Sequence, residues 1–95
     1  MHGSIWKFNG DPADLAEKYE ALLGEIPSQN MRFHACLITD DGLIMFDTCP
    51  SEQVFHDFFE GPAFMGLLEQ YGFPPPEVEN YPVIAAFSNG ARIHP

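Results

Sequence analysis

Between residues 34 and 49 the chain carries His34, Cys36, Asp47 and Cys49, two thiols, an imidazole and a carboxylate on two short apolar runs. No other stretch gathers reactive side-chain types so densely. Held within a few ångströms of one another, such groups suit two kinds of chemistry. A nucleophile can lose its proton to an imidazole that a carboxylate orients. Cys, His and Asp are also all zinc ligands. The spacing argues against both. CxxC and HxxxH are absent, and nothing marks an oxyanion hole at a strand-to-helix turn, so no metal and no cofactor is expected. Free cysteine is among the most commonly buried residue types, and packing is the expected role of Cys36 and Cys49. His34 is the first candidate for catalysis, because its ring titrates near neutral pH and can act as a general base. Asp47 interrupts an apolar run. If buried it needs a partner, and Arg32, His34, Lys7 or a helix amide are the candidates. A satisfied strand histidine, and a salt bridge or cap onto a helix starting near Ser51, are the competing structural roles.

The elements that must position these residues are legible. Ser4–Phe8 is rich in β-formers and reads as strand one. Asp11-Pro12 opens a helix, with Asp as N-cap and Pro at the first helical position. Leu15, Tyr19, Leu22, Leu23 and Ile26 form its apolar stripe. Residues 31–39 and 43–48 read as a hairpin closed by Asp41-Gly42. Ser51 caps a second helical region with Val54, Phe55, Phe58 and Phe59 inward, and Gly61-Pro62 breaks it before a further helix to about Tyr71. Pro74-Pro75-Pro76 is a stiff connector. Val83–Phe87 reads as the fourth strand, and residues 89–95 as a flexible tail. The order β-α-β-β-α-β predicts one α+β domain over residues 1–95: a ferredoxin-like sandwich, a four-stranded antiparallel sheet with its helices on one face.

If Asp41-Gly42 is the two-residue turn, Cys36 lies opposite Asp47 and His34 opposite Cys49. Paired residues share a face. Arg32, His34, Cys36, Ile38, Met45, Asp47 and Cys49 then line one face, expected toward a partner or cavity. Phe33, Ala35, Leu37, Ile44, Phe46 and Thr48 line the other, expected toward the helices. Cys36 and Cys49 would be diagonal neighbours roughly 7–8 Å apart, too far to bridge. For a ligand, Trp6, Arg32, Cys36, Phe55, Phe59 and Tyr81 are the candidate contacts, with core packing as the alternative for the aromatic residues.

The totals set bounds. The 95 residues carry 14 acidic and 4 basic side chains, net −10, which leaves no basic patch for nucleic acid or an anionic membrane. No apolar run reaches a membrane span, and no leader is visible, so a cytoplasmic protein with reduced thiols is expected. A domain of this size buries only about 60–65% of its unfolded surface. Strands three and four are apolar on both faces, whereas helices cover only one. A second copy, packed sheet to sheet about a two-fold axis, is expected to cover the other.

From Ile5-Trp6-Lys7-Phe8 through Asp11-Pro12, Asp41-Gly42, Asp47-Thr48-Cys49-Pro50 and Tyr81-Pro82-Val83, residues 3–88 resemble small bacterial proteins of the dimeric α+β barrel superfamily. The resemblance implies a homodimer with a ligand cavity between sheet and helices or between sheets. It carries no catalytic residue over, because the superfamily holds monooxygenases, haem-degrading enzymes, isomerases and binding modules alike. Two functions follow: a homodimeric module binding a small apolar molecule, or a cofactor-independent monooxygenase or isomerase acting on a small aromatic or lactone-like substrate. In the second, His34 is the base, and Asp47 or Arg32 orients it or stabilises charge.

Overall fold

The computed structural model describes residues 1–26 and 33–94; Met31 and Arg32, expected at the start of the second strand, lie outside them. Strand β1 (His2–Asn9) leads into helix α1 (Pro12–Leu23). The hairpin β2 (Phe33–Ile38) and β3 (Gly42–Cys49) follows, then α2 (Glu52–Phe59) and α3 (Pro62–Gln70). The chain ends with β4 (Glu77–Pro82), β5 (Ala86–Ser88) and β6 (Ala91–His94). Four strands make one antiparallel sheet in the order β2-β3-β1-β4, the ferredoxin-like arrangement with helices on one face. Among the described residues no helix is long and apolar enough to cross a membrane.

The local signals act as read. The Asp11 side chain accepts the Asp14 N–H at 3.0 Å with Pro12 starting the helix, and Ser51 accepts the Val54 N–H at 3.2 Å. Each such cap is worth about 1 kcal/mol, because it satisfies a donor that the helix itself leaves unpaired. The core forms where the helices meet one sheet face. Trp6, Phe8, Leu43, Met45 and Cys49 are buried there against Leu15 and Leu22 of α1, Phe55 and Phe59 of α2, and Phe64 and Leu68 of α3. Trp6 sits at the centre, with ring centroids 6.0, 6.0 and 5.7 Å from Phe55, Phe59 and Phe64. Its indole N–H donates to Ser4 Oγ at 3.0 Å, so the one polar atom of the ring is satisfied.

Four expectations need correction. The first is the hairpin turn. The loop residues are Asp40 and Asp41, with the Thr39 N–H bonded to the Gly42 carbonyl at 2.9 Å, and not Asp41-Gly42. Gly42 belongs to β3, at φ +155, where an added Cβ would lie 1.9 Å from the Phe8 carbonyl oxygen. Its glycine character therefore serves close approach to β1, not the turn. The register moves accordingly: His34 pairs with Asp47, Cys36 with Met45, and Ile38 with Leu43.

The second is the orientation of the hairpin. The two face sets survive the register change, but the set containing His34, Cys36, Met45, Asp47 and Cys49 meets the helices. Trp6 and Phe8 of β1 decide this, because Trp6 pairs with Met45 and Phe8 with Leu43 and their bulk faces the same way. The apolar set is the open face, where Phe33, Leu37 and Phe46 are 41%, 45% and 39% exposed.

The third is the fourth strand, which is Glu77–Pro82 and not Val83–Phe87. It is an edge strand exposed throughout, so apolar content was no guide to it, and Pro82 closes it where a missing N–H is harmless. The fourth concerns the segment read as a tail. Asn89 and Gly90, at φ 52 and 79, form a tight turn joining β5 to β6. Two consecutive positive φ values are what an Asn-Gly hairpin turn requires. Among the described residues this ribbon forms a separate two-stranded sheet.

Candidate active site

Three elements bring three side chains together behind α1. Tyr19 lies on the inward stripe of α1, between Leu15 and Leu22, which are both buried. His34 comes from β2, and Asp47 from β3 directly opposite it. Asp47 is 7% exposed. Its carboxylate bonds Nδ1 of His34, and Nε2 of His34 is 2.5 Å from the Tyr19 hydroxyl. A carboxylate only accepts, so Nδ1 carries the proton and Nε2 accepts from the phenol. The Tyr19 and His34 rings lie nearly parallel, 15° apart, with centroids separated by 5.9 Å. Neither imidazole nitrogen is left without a partner.

Tyr19 is also the member of this chain that lines a cleft beside α1. A cleft of about 370 Å³ opens between α1 and the hairpin. Ala16, Ile38 and Leu43 supply its apolar wall, Tyr19 and Cys36 its polar floor, and Glu17 and Glu20 its rim. His34 and Asp47 stand behind Tyr19 and do not line it. Burial, reinforced by the fields of Cys36, Asp47 and Glu20, pushes the Tyr19 phenol up to about 12. Burial, with Asp47 and Glu20 adding to it, pushes the Cys36 thiol up to about 11. Cys49 is raised for the same first reason, and its thiol donates to the Ser51 carbonyl at 3.2 Å. Thiols held this high are almost wholly protonated at neutral pH and are poor nucleophiles. Perturbed groups that gather in a cleft mark it as a functional-site candidate.

The other expected contacts divide. Trp6, Phe55 and Phe59 line a second cleft, of about 340 Å³, with Met65 and Val78. All three are at most 3% exposed and serve the core as well. Tyr81 lies on β4, 53% exposed, with its hydroxyl donating to Glu79 at 2.8 Å, away from both clefts. Arg32 lies outside the described residues. Both cysteines are free, and among the described residues no three His, Cys, Asp or Glu side chains are arranged to hold a metal ion. Tyr19 is the residue that sequence reasoning assigned only to the apolar stripe. Its signal was present: a hydroxyl on an inward helical position has to find a partner when buried.

Solved structures share this fold. One is a protein of Deinococcus radiodurans provisionally assigned as an antibiotic biosynthesis monooxygenase. Its TM-score is 0.68 at 11% identity, with 93% of this chain and 97% of that chain covered. SnoaB, a cofactor-independent oxygenase from Streptomyces nogalater, matches in two crystal structures. A single-site variant gives TM-score 0.59 at 12% identity over 87% of this chain and 90% of that one. The other gives 0.58 at 13% over 86% and 89%. No family model and no curated protein matches the sequence. At these identities the likeness is one of fold alone.

Proposed function

We propose that the protein is a homodimeric module that binds a small molecule in the cleft between α1 and the β2–β3 hairpin. The cleft itself carries this reading. Its volume of about 370 Å³ falls in the usual range of ligand sites, and it combines an apolar wall with convergent polar groups. The open sheet face supports the dimer: Phe33, Leu37, Phe46 and Tyr81 expose apolar surface that a second copy would cover about a two-fold axis. A native mass spectrum of the purified protein, recorded gently and then under denaturing conditions, tests both parts. A dimer carrying an extra mass that denaturation releases is the expected result. A bare monomer at micromolar concentration would remove the dimer, and a dimer that takes up no small molecule from a screen would remove the binding module.

The Tyr19–His34–Asp47 chain favours a second reading, a cofactor-independent monooxygenase or isomerase acting on a small aromatic or lactone-like substrate. An imidazole whose tautomer a buried carboxylate fixes is arranged as a general base. The likeness in fold to a cofactor-independent oxygenase is compatible with it. Unchanged turnover in His34→Ala would exclude it.

A further inference from the structure

We infer that Tyr19 is the catalytic residue through which the His34–Asp47 pair, which does not line the α1 cleft, reaches a ligand there: a proton taken from the ligand goes to the Tyr19 oxygen as the phenolic proton moves to Nε2 of His34. The inference rests on the general-base reading and names its contact atom and substrate class. Both nitrogens of His34 are engaged, Nδ1 by Asp47 and Nε2 by Tyr19, and the ring does not line the cleft. Among the described residues Tyr19 alone has one side on the cleft and its hydroxyl on the imidazole. The near-parallel rings and the fixed helical position between Leu15 and Leu22 hold that hydroxyl in place.

The step balances without an oxidant or a further reactant. Before it, the ligand, phenol and imidazole are neutral and Asp47 is an anion. After it, the ligand holds the electron pair of its broken bond to hydrogen, the phenol is neutral again, and the imidazolium sits against the Asp47 carboxylate. A free phenolate never has to form, which agrees with a phenol held up to about 12. The ligand class follows. It carries a weakly acidic C–H or O–H beside a group that accepts charge. It does not enter as an anion, because Glu17 and Glu20 at the rim repel negative charge and no cationic side chain among the described residues lines the cleft.

Nitrobenzisoxazole, a neutral fused-ring carbon acid, is the probe. Loss of its C–H proton breaks the N–O bond and leaves a nitrile and a coloured phenolate, so turnover is read by absorbance. The full-length protein is expected to exceed the buffer rate. Tyr19→Phe, which removes only the hydroxyl, should lose on the order of 100-fold, the lower end for a general base. His34→Gln should lose a similar factor, and the double variant no more than either, because the two act as one unit. If Tyr19→Phe keeps or gains turnover while His34→Gln loses it, His34 is itself the base and Tyr19 only covers it; the relay is then overturned and the base reading survives. If the parent protein turns the probe over no faster than buffer, both are overturned.

Discussion

Replacing Gly42 by alanine tests the geometry on which the candidate site depends. The new methyl would lie 1.9 Å from the Phe8 carbonyl oxygen and 3.2 Å from Asn9 Cα, both backbone atoms of β1 that cannot swing aside. At φ +155 an L residue is also strained, at a cost of about 1–2 kcal/mol. Relief requires β1 and β3 to part at the Asn9–Gly42 pair. The neighbouring bonds then weaken: Gly10 N–H to the Asp41 carbonyl, 2.8 Å, and Thr39 N–H to the Gly42 carbonyl, 2.9 Å. At about 1 kcal/mol for each bond lost, the total is about 3–4 kcal/mol. A domain holds only about 5–15 kcal/mol, so this is a large fraction. Urea and thermal unfolding can be followed by fluorescence of Trp6, the single tryptophan and a buried one. At about 4–8 °C per kcal/mol, Tm should fall by more than about 10 °C. A Tm within about 4 °C of the parent would show that Gly42 is not pinned against β1. The turn would then be free to shift, and the pairing of His34 with Asp47 would lose its foundation.

Phe46→Asp puts a charge at the centre of the open sheet face. On the proposed dimer, it should halve the mass measured by light scattering to the 10.6 kDa of one chain while the far-ultraviolet dichroism stays native. Phe55→Ala, at a site 1% exposed between His2, Trp6 and Phe59, should cost about 3–5 kcal/mol in chemical denaturation; a cost under about 1 kcal/mol would mean the aromatic cluster is loosely packed. Alkaline stability should fall as well. The Cys36 thiol titrates near 9.0 when unfolded and at about 11 when folded, so above pH 9 the unfolded state gives up a proton that the folded state retains. The stability this thiol contributes is therefore whole below pH 9 and lost by about pH 11, and denaturation midpoints of Cys36→Ala should decline less steeply across that window. The same sign applies to Tyr19 between 10.0 and about 12.

The parts of the fold read correctly from sequence were those decided by local chemistry. Asp11 and Ser51 cap helices because their short side chains reach the third residue on, and Gly61-Pro62 interrupts because proline cannot continue a helix. Pairing parity placed His34 and Asp47 on one face even though the turn was misplaced by one residue. What failed was non-local. The hairpin has one apolar face and one mixed face, and composition alone turned the apolar one toward the helices; the neighbouring strand with Trp6 and Phe8 decides otherwise. Gly42 looked like a turn residue because Asp-Gly is a strong hairpin signal, whereas the constraint on it comes from Phe8, far away in sequence. The exposed β4 strand has no apolar pattern to read, since only its backbone is needed at the sheet edge. Tyr19 was hidden inside a hydrophobic stripe in which its ring behaves as Leu15 and Leu22 do and only its oxygen differs.

The two edges of the sheet are unlike. β4 carries Glu77 and Glu79 and ends in Pro82, a combination that repels an incoming strand. β2, reading Phe-His-Ala-Cys-Leu-Ile, has no acidic or proline residue to turn a strand away. Among the described residues, the sheet can thus accept a strand at one edge and offers little at the other. Head-to-tail growth needs both edges and would stall after a single addition. The contact that remains is β2 against β2, which uses the same surface twice and closes on itself. Under destabilising conditions such a chain would be caught as discrete pairs sooner than as fibres.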